Sequence, residues 1–294
     1  PMVNALGVMG WGVGGLEAEM AALGEPYPLA PPEFVGVRLQ GRLAEDVTTT
    51  DLALTLTHVL RKESVIGAFV EFFGPACSQM TVPDRATLAN MAPEYGATTG
   101  FWPIDEQTLA YLALTGRPND QIDLVAAHAK AAGLFRHEGD EAPTYDRVID
   151  FDLGTVRRSI SGPSKPHNLK GPSSLRDAFL EKVGPSAESE APASEDLAPD
   201  GAVAIAAIAS CTNTANPAAI FAAALLARNA IARGLKPPAW VKTSFAPGSR
   251  AVPAYLARAG LMAPLEELGF HVIGFGCTTC GGKSGPLTPA AQLA

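Results

Sequence analysis

Ala202-Val203-Ala204-Ile205-Ala206-Ala207-Ile208-Ala209 is an apolar run of strand length, and the chain that follows it decides the fold. Residues 217–233 read as a helix with Pro217 at its first position, 240–245 as a strand, 251–259 as a helix and 271–276 as a third strand. Strands alternating with helices in this way predict a parallel sheet whose crossovers are helical. Upstream, Val35, Val37 and Leu39 alternate with Gly36, Arg38 and Gln40, which marks 34–43 as a half-buried strand. Thr50 or Asp51 can cap a helix that lines up Leu52, Leu56, Val59 and Leu60, with Arg61 and Lys62 near its carboxyl end. Residues 68–73 and 147–153 read as strands, and 84–92, 106–115 and 119–134 as helices, the last closed by Gly133. Residues 184–201 mix Gly, Pro, Ser, Ala and acidic residues without an apolar period, so they are expected to form an exposed linker and a domain boundary. The expected fold class is α/β.

The 294 residues predict roughly two domains. Hydrophobic residues are 47% of the chain, charged residues 18% and the mean hydropathy is +0.13, values that exclude both a disordered chain and a membrane-embedded one. A net charge of −8 leaves no basic surface for nucleic acid or anionic lipid, so small molecules are the expected partners. Four cysteines are too few for a disulfide scaffold, and Cys277-Thr278-Thr279-Cys280 has the spacing of metal or redox chemistry in a reducing compartment. A cytoplasmic location is expected. The sequence opens at Pro1 with no signal-peptide pattern, and it is expected to be a fragment.

Cys211 follows one expected strand and Cys277 and Cys280 follow another, so all three are expected at the carboxyl edge of the sheet, where ligand crevices form. A Cys-x-x-Cys pair alone leaves a redox pair and half of a zinc site open. Three thiolates add a further possibility: a 4Fe-4S cluster held by three cysteines keeps one iron without a protein ligand, able to act as a Lewis acid. Cys77 reads as a passive small residue. The glycines at 10, 12, 14 and 15 lack the dinucleotide-binding spacing and are read as close backbone packing. The five histidines show no ligand spacing: His58 and His128 read as helix-surface or core residues and His167 as loop-borne.

Ser210-Cys211-Thr212-Asn213-Thr214-Ala215-Asn216-Pro217, together with Gly276-Cys277-Thr278-Thr279-Cys280-Gly281-Gly282-Lys283-Ser284-Gly285-Pro286-Leu287, resembles the cluster-binding segments of the aconitase family, in its bacterial cytosolic and iron-regulatory-protein branch. The likeness continues through residues 7–19, 69–74, 85–98, 111–117, 161–166 and 246–249, nearly the whole chain. It implies three-layer α/β/α domains with mostly parallel sheets, truncated at both ends. Residues 1–33 would be the end of a first domain, 34–145 a second, and 146–294 an incomplete third that binds the cluster. It implies further that Cys211, Cys277 and Cys280 hold a 4Fe-4S cluster. Glu94 matches the family's active-site glutamate beside the open iron, and Asn90, read as one helical turn earlier, an asparagine near the cluster.

The implied activity is hydro-lyase conversion of citrate to isocitrate through cis-aconitate, in the tricarboxylic acid cycle, by a monomer. The resemblance implies that an Asp-Ser-His-Thr segment before Pro1, and the substrate-binding arginines and serine base after Ala294, lie outside this sequence, so that the fragment alone is inactive. Pro166-His167 is more similar to the 2-methylcitrate dehydratase branch, whereas 276–280 is similar to the ordinary aconitate hydratase, so 2-methylcitrate or 2-methylisocitrate is the alternative substrate. An iron-responsive RNA-binding regulator is the alternative of another class, and the charge of −8 argues against it. A zinc-stabilised structural module is the third.

Overall fold

The computed structural model describes residues 2–28, 30–162, 164–184, 198–199, 201–211 and 214–292. The chain divides into two compact units, Pro1–Pro172 and Ser173–Ala294. Most of the expected linker over 184–201 lies outside the described residues. Among the described residues no helix is long and apolar enough to cross a membrane.

The first unit contains, in order, α1 (Gly15–Leu23), β1 (Phe34–Gln40), α2 (Thr49–Lys62), β2 (Phe69–Phe73), α3 (Val82–Asn90), α4 (Ala92–Tyr95), β3 (Thr99–Phe101), α5 (Glu106–Leu114), α6 (Asn119–Ala131) and β4 (Arg147–Asp152). Its sheet has the order β3-β2-β1-β4, and every pairing is parallel. The alternation in β1 buries Val35, Val37 and Leu39 on one face, where Val37 stands in register with Phe72 and Ile149. Leu52, Leu56 and Leu60 of α2, one turn apart, close over this face, and each such fully buried side chain contributes about 1.5–3 kcal/mol. A two-residue antiparallel pair, β5 (Ile160–Ser161) and β6 (Leu169–Lys170), completes the unit.

Two helix starts differ from expectation for one reason. Thr48, not Thr50 or Asp51, caps α2: its hydroxyl accepts from the Asp51 amide while the Asp51 carboxylate accepts from the Thr48 amide. Thr81 and Asp84 repeat this reciprocal pair, so α3 begins at Val82 rather than at 84. In both cases an acidic residue three positions after a threonine satisfies two amide donors at once.

The second unit opens with α7 (Leu175–Val183) and continues through β7 (Ile205–Ala209), α8 (Pro217–Ile231), β8 (Lys242–Ala246), α9 (Ala251–Arg258) and α10 (Met262–Glu267). β7 and β8 pair in parallel, Ile208 beside Phe245. Phe245, Ile220, Ala224, Leu256 and Leu265 form the core. The third strand expected over 271–276 is reduced to one parallel bridge between Val272 and Phe245. Glycines at 274 and 276 explain the loss: they supply no side chain to pack on the sheet, and Gly276, at φ +80°, turns the chain away.

Candidate functional site

In the second unit Cys211 follows β7 and Cys277 follows the Val272 bridge, and these segments and the loop after β8 are tied to one another by main-chain contacts at one edge of the sheet. Beyond β7 the Ser210 amide still donates to the Ala246 carbonyl at 3.1 Å, and the Thr214 amide donates to the Cys211 carbonyl at 3.0 Å, closing a turn at Cys211. Beyond β8, the Pro247 carbonyl accepts from the Gly276 amide at 2.9 Å, which brings the start of Cys277-Thr278-Thr279-Cys280 against the same loop. Gly248 is needed where these segments meet. A Cβ there would stand 2.4 Å from the Thr214 carbonyl oxygen and 2.8 Å from that of Cys211, both main-chain atoms with little room to yield. Gly248→Ala is therefore expected to cost about 1–3 kcal/mol in denaturant unfolding through overpacking, and an unchanged midpoint would contradict this close approach.

Cys211 is half-buried and Cys277 and Cys280 are exposed. After Cys277 the chain makes a 3-10 turn over Thr279–Gly281, with the Gly281 and Lys283 amides both donating to the Thr278 carbonyl at 3.0 Å. The half-buried Lys242 ammonium fastens the following segment to β8 by donating to the carbonyls of Ser284 and Pro286. Among the described residues no three metal-ligating side chains are gathered into a preformed group. Donor chemistry and place nevertheless fit an iron–sulfur group: three soft thiols sit on mutually tied loops at one sheet edge. The hydroxyls of Thr278 and Thr279, between the paired cysteines, are buried without a hydrogen-bond partner among the described residues. Leaving a hydroxyl in that state costs about 1–3 kcal/mol, and two such donors between the paired cysteines fit a group that offers acceptor atoms.

In the first unit, Asn90 ends α3 and Glu94 lies in the four-residue α4. The two are not on consecutive turns of one helix as expected, because Met91 breaks the run and Pro93 has no amide to donate backward. Glu94 is half-buried, its amide donates to the Met91 carbonyl at 2.9 Å, and its Oε2 is buried with no partner among the described residues. Burial raises the Glu94 carboxyl above the ordinary range, with its own amide opposing in part. The folded state therefore holds this proton more tightly than the unfolded chain does. The stability this contributes is full below the unfolded pKa and is lost as pH rises through the raised, folded one. Glu94→Gln, which cannot ionise, is expected to lose less stability than wild type between pH 4 and pH 7 in paired urea titrations, and parallel losses would contradict a raised pKa.

Cys77 is fully buried in the sheet core, and burial pushes its thiol up to about 11, the behaviour of a small packing residue. His58 and His128 are exposed on α2 and α6, and the His58 Nδ1 lies 2.9 Å from the His167 carbonyl. The close backbone packing expected of the glycine run is not found at its end, where α1 buries no residue, a Cβ on Gly15 would meet open space and one on Gly14 only the Glu17 side chain, whereas the Gly10 main chain is held by the buried Asn4, its amide donating to Asn4 Oδ1 at 2.8 Å and its carbonyl accepting from Asn4 Nδ2 at 2.9 Å. Two features of the site were missed from the sequence, the Lys242 clamp and the buried pair of threonine hydroxyls. A lysine opening a strand and two threonines inside a Cys-x-x-Cys carry no signal of either until the turn after Cys280 is seen. Cavities of about 480 Å³ beside Glu71 and Phe73, and of about 460 Å³ between Ile208 and Leu268, include none of Asn90, Glu94, Cys211, Cys277 and Cys280 in their walls.

The likeness to known proteins runs over the whole chain. The family model described as aconitase family (aconitate hydratase) matches residues 1–294. Aconitate hydratase A of Thermus thermophilus is 50% identical over 97% of this chain and 34% of its own length. Aconitate hydratase A of Legionella pneumophila is 50% identical over 97% of this chain and 33% of its own, and that of Escherichia coli 48% identical over 100% and 34%. The chain thus spans about a third of the length of the curated relatives it matches. A crystal structure of Thermococcus kodakaraensis aconitase X in its holo-form aligns with 84% of this chain and 44% of that one at 13% identity, with a TM-score of 0.36.

Proposed function

We propose, since the chain belongs to the aconitase family, that it is a segment of a cytoplasmic hydro-lyase that interconverts citrate and isocitrate through cis-aconitate. The identity to proteins named aconitate hydratase A, sustained across nearly all of this chain, carries the reading. Cys211, Cys277 and Cys280 would hold a 4Fe-4S cluster. When bound, that cluster would supply a Lewis-acidic iron without a protein ligand, which polarises an otherwise poor hydroxyl leaving group.

This chain's own part is proton handling and orientation. The Glu94 carboxyl is supported as the proton carrier by its unpartnered Oε2 and by the burial that lifts its pKa toward neutrality. Protonated, it donates to the departing hydroxyl, which leaves as water; ionised, it takes the proton back when water returns to the double bond. Asn90, half-buried at the end of α3, would orient the bound group through its side-chain amide. A small tricarboxylate suits the −8 charge of the chain only if localised cations and metal offset it at the site.

His167 after Pro166 favours a second substrate, 2-methylcitrate or 2-methylisocitrate, dehydrated by the same chemistry. Turnover assays of the enzyme that contains this segment, on citrate and on 2-methylcitrate in parallel, test the choice. Citrate turnover exceeding that of the methylated acid is expected, and exclusive use of 2-methylcitrate overturns it.

A further inference from the structure

We propose that the hydroxyls of Thr278 and Thr279 donate hydrogen bonds to sulfur in the group held by Cys277 and Cys280, and so set its reduction potential. The inference rests on the cluster reading above and goes beyond it to two side chains that are not ligands. Both hydroxyl oxygens are shielded from solvent and have no partner among the described residues. Half-buried threonines elsewhere in this unit do find acceptors: Thr243 donates to the Gly269 carbonyl at 2.8 Å and Thr288 to that of Trp240 at 2.9 Å. The carbonyls nearest in the chain are engaged, that of Thr278 by the Gly281 and Lys283 amides and that of Thr279 by the Gly282 amide. Neither hydroxyl reaches an acceptor among the described residues, and thiolate or sulfide sulfur is one. Hydrogen bonds to cluster sulfur stabilise the more negative, reduced state and raise the potential.

The test compares the full chain with Thr278→Val/Thr279→Val and Thr278→Ser/Thr279→Ser after anaerobic reconstitution, reading iron and sulfide per chain and the midpoint potential. Valine keeps the shape and removes the donors, whereas serine keeps the donors. The valine chain is expected to load like wild type while its reduction equilibrium shifts about tenfold toward the oxidised form, roughly 59 mV for one electron. The serine chain is expected to return to the wild-type value. A valine chain that fails to load while the serine chain loads also supports the donors. A loaded valine chain with an unmoved potential overturns this inference alone, as does failure of both variants to load, which would assign the threonines to packing. A wild-type chain that takes up no iron and sulfide overturns the cluster reading itself.

Discussion

Asp105→Ala is expected to remove about 3–5 kcal/mol from the stability of the first unit, because it strands a buried cation. Arg85 is fully buried, and its guanidinium makes a two-pronged pair with the Asp105 carboxylate at 2.9 and 2.6 Å. The remaining donors are also spent, Nε on the Met80 carbonyl at 3.0 Å and Nη2 on the Cys77 carbonyl at 3.0 Å, while the group lies 5.4 Å over the Trp102 ring. Removing the carboxylate leaves a buried cation without its counter-charge, and Arg136 beside it, 4.0 Å from the same carboxylate, adds like charge. It also strips the cap from α5, where Asp105 accepts from the Gln107 amide at 3.0 Å. A double change, Arg85→Met with Asp105→Leu, removes both charges and is expected to recover most of the loss, because apolar replacements of buried ion pairs are often neutral. Equilibrium unfolding of the three chains checks this, and a single variant within 1 kcal/mol of wild type would contradict it.

Glu94→Gln is expected to lower turnover of the parent enzyme by about 10²–10⁴-fold with the fold intact, the usual worth of a positioned general acid–base group. Glutamine keeps the shape and the half-buried position but cannot give or take a proton. The loss should fall on kcat more than on KM, since the proton moves in the transition state. The wild-type pH profile should also contain a limb above the ordinary carboxylate range, following the upward push of burial on Glu94, and the variant should lack it. A variant with wild-type kcat at every pH would remove Glu94 from the chemistry.

Much of the fold is legible wherever one face of an element is buried. β1 can be read from Val35, Val37 and Leu39 because its other face carries Arg38 and Gln40. α2 can be read from its leucines because a single stripe meets the sheet. The third strand of the second unit misleads because His271-Val272-Ile273 has strand chemistry, while the glycines after it decide where pairing stops. The Arg85–Asp105 pair is invisible in sequence, since its members are 20 residues apart and charged residues are ordinarily solvated. The candidate site divides along the same line. That Cys211 leaves the sheet edge follows from the strand before it, and the Val272 bridge alone brings Cys277 beside it, whereas the crossing of their loops at Gly248 and the burial of two threonine hydroxyls depend on packing at a distance in the chain.

Anaerobic reconstitution of the full chain with iron and sulfide, with iron, sulfide and the visible spectrum measured per chain, tests the central claim most directly. The account predicts a 4Fe-4S spectrum with about four irons per chain, lost on Cys211→Ser, on Cys277→Ser and on Cys280→Ser alike. Binding of zinc in place of iron, or a cluster undiminished in any of these serine variants, would contradict it.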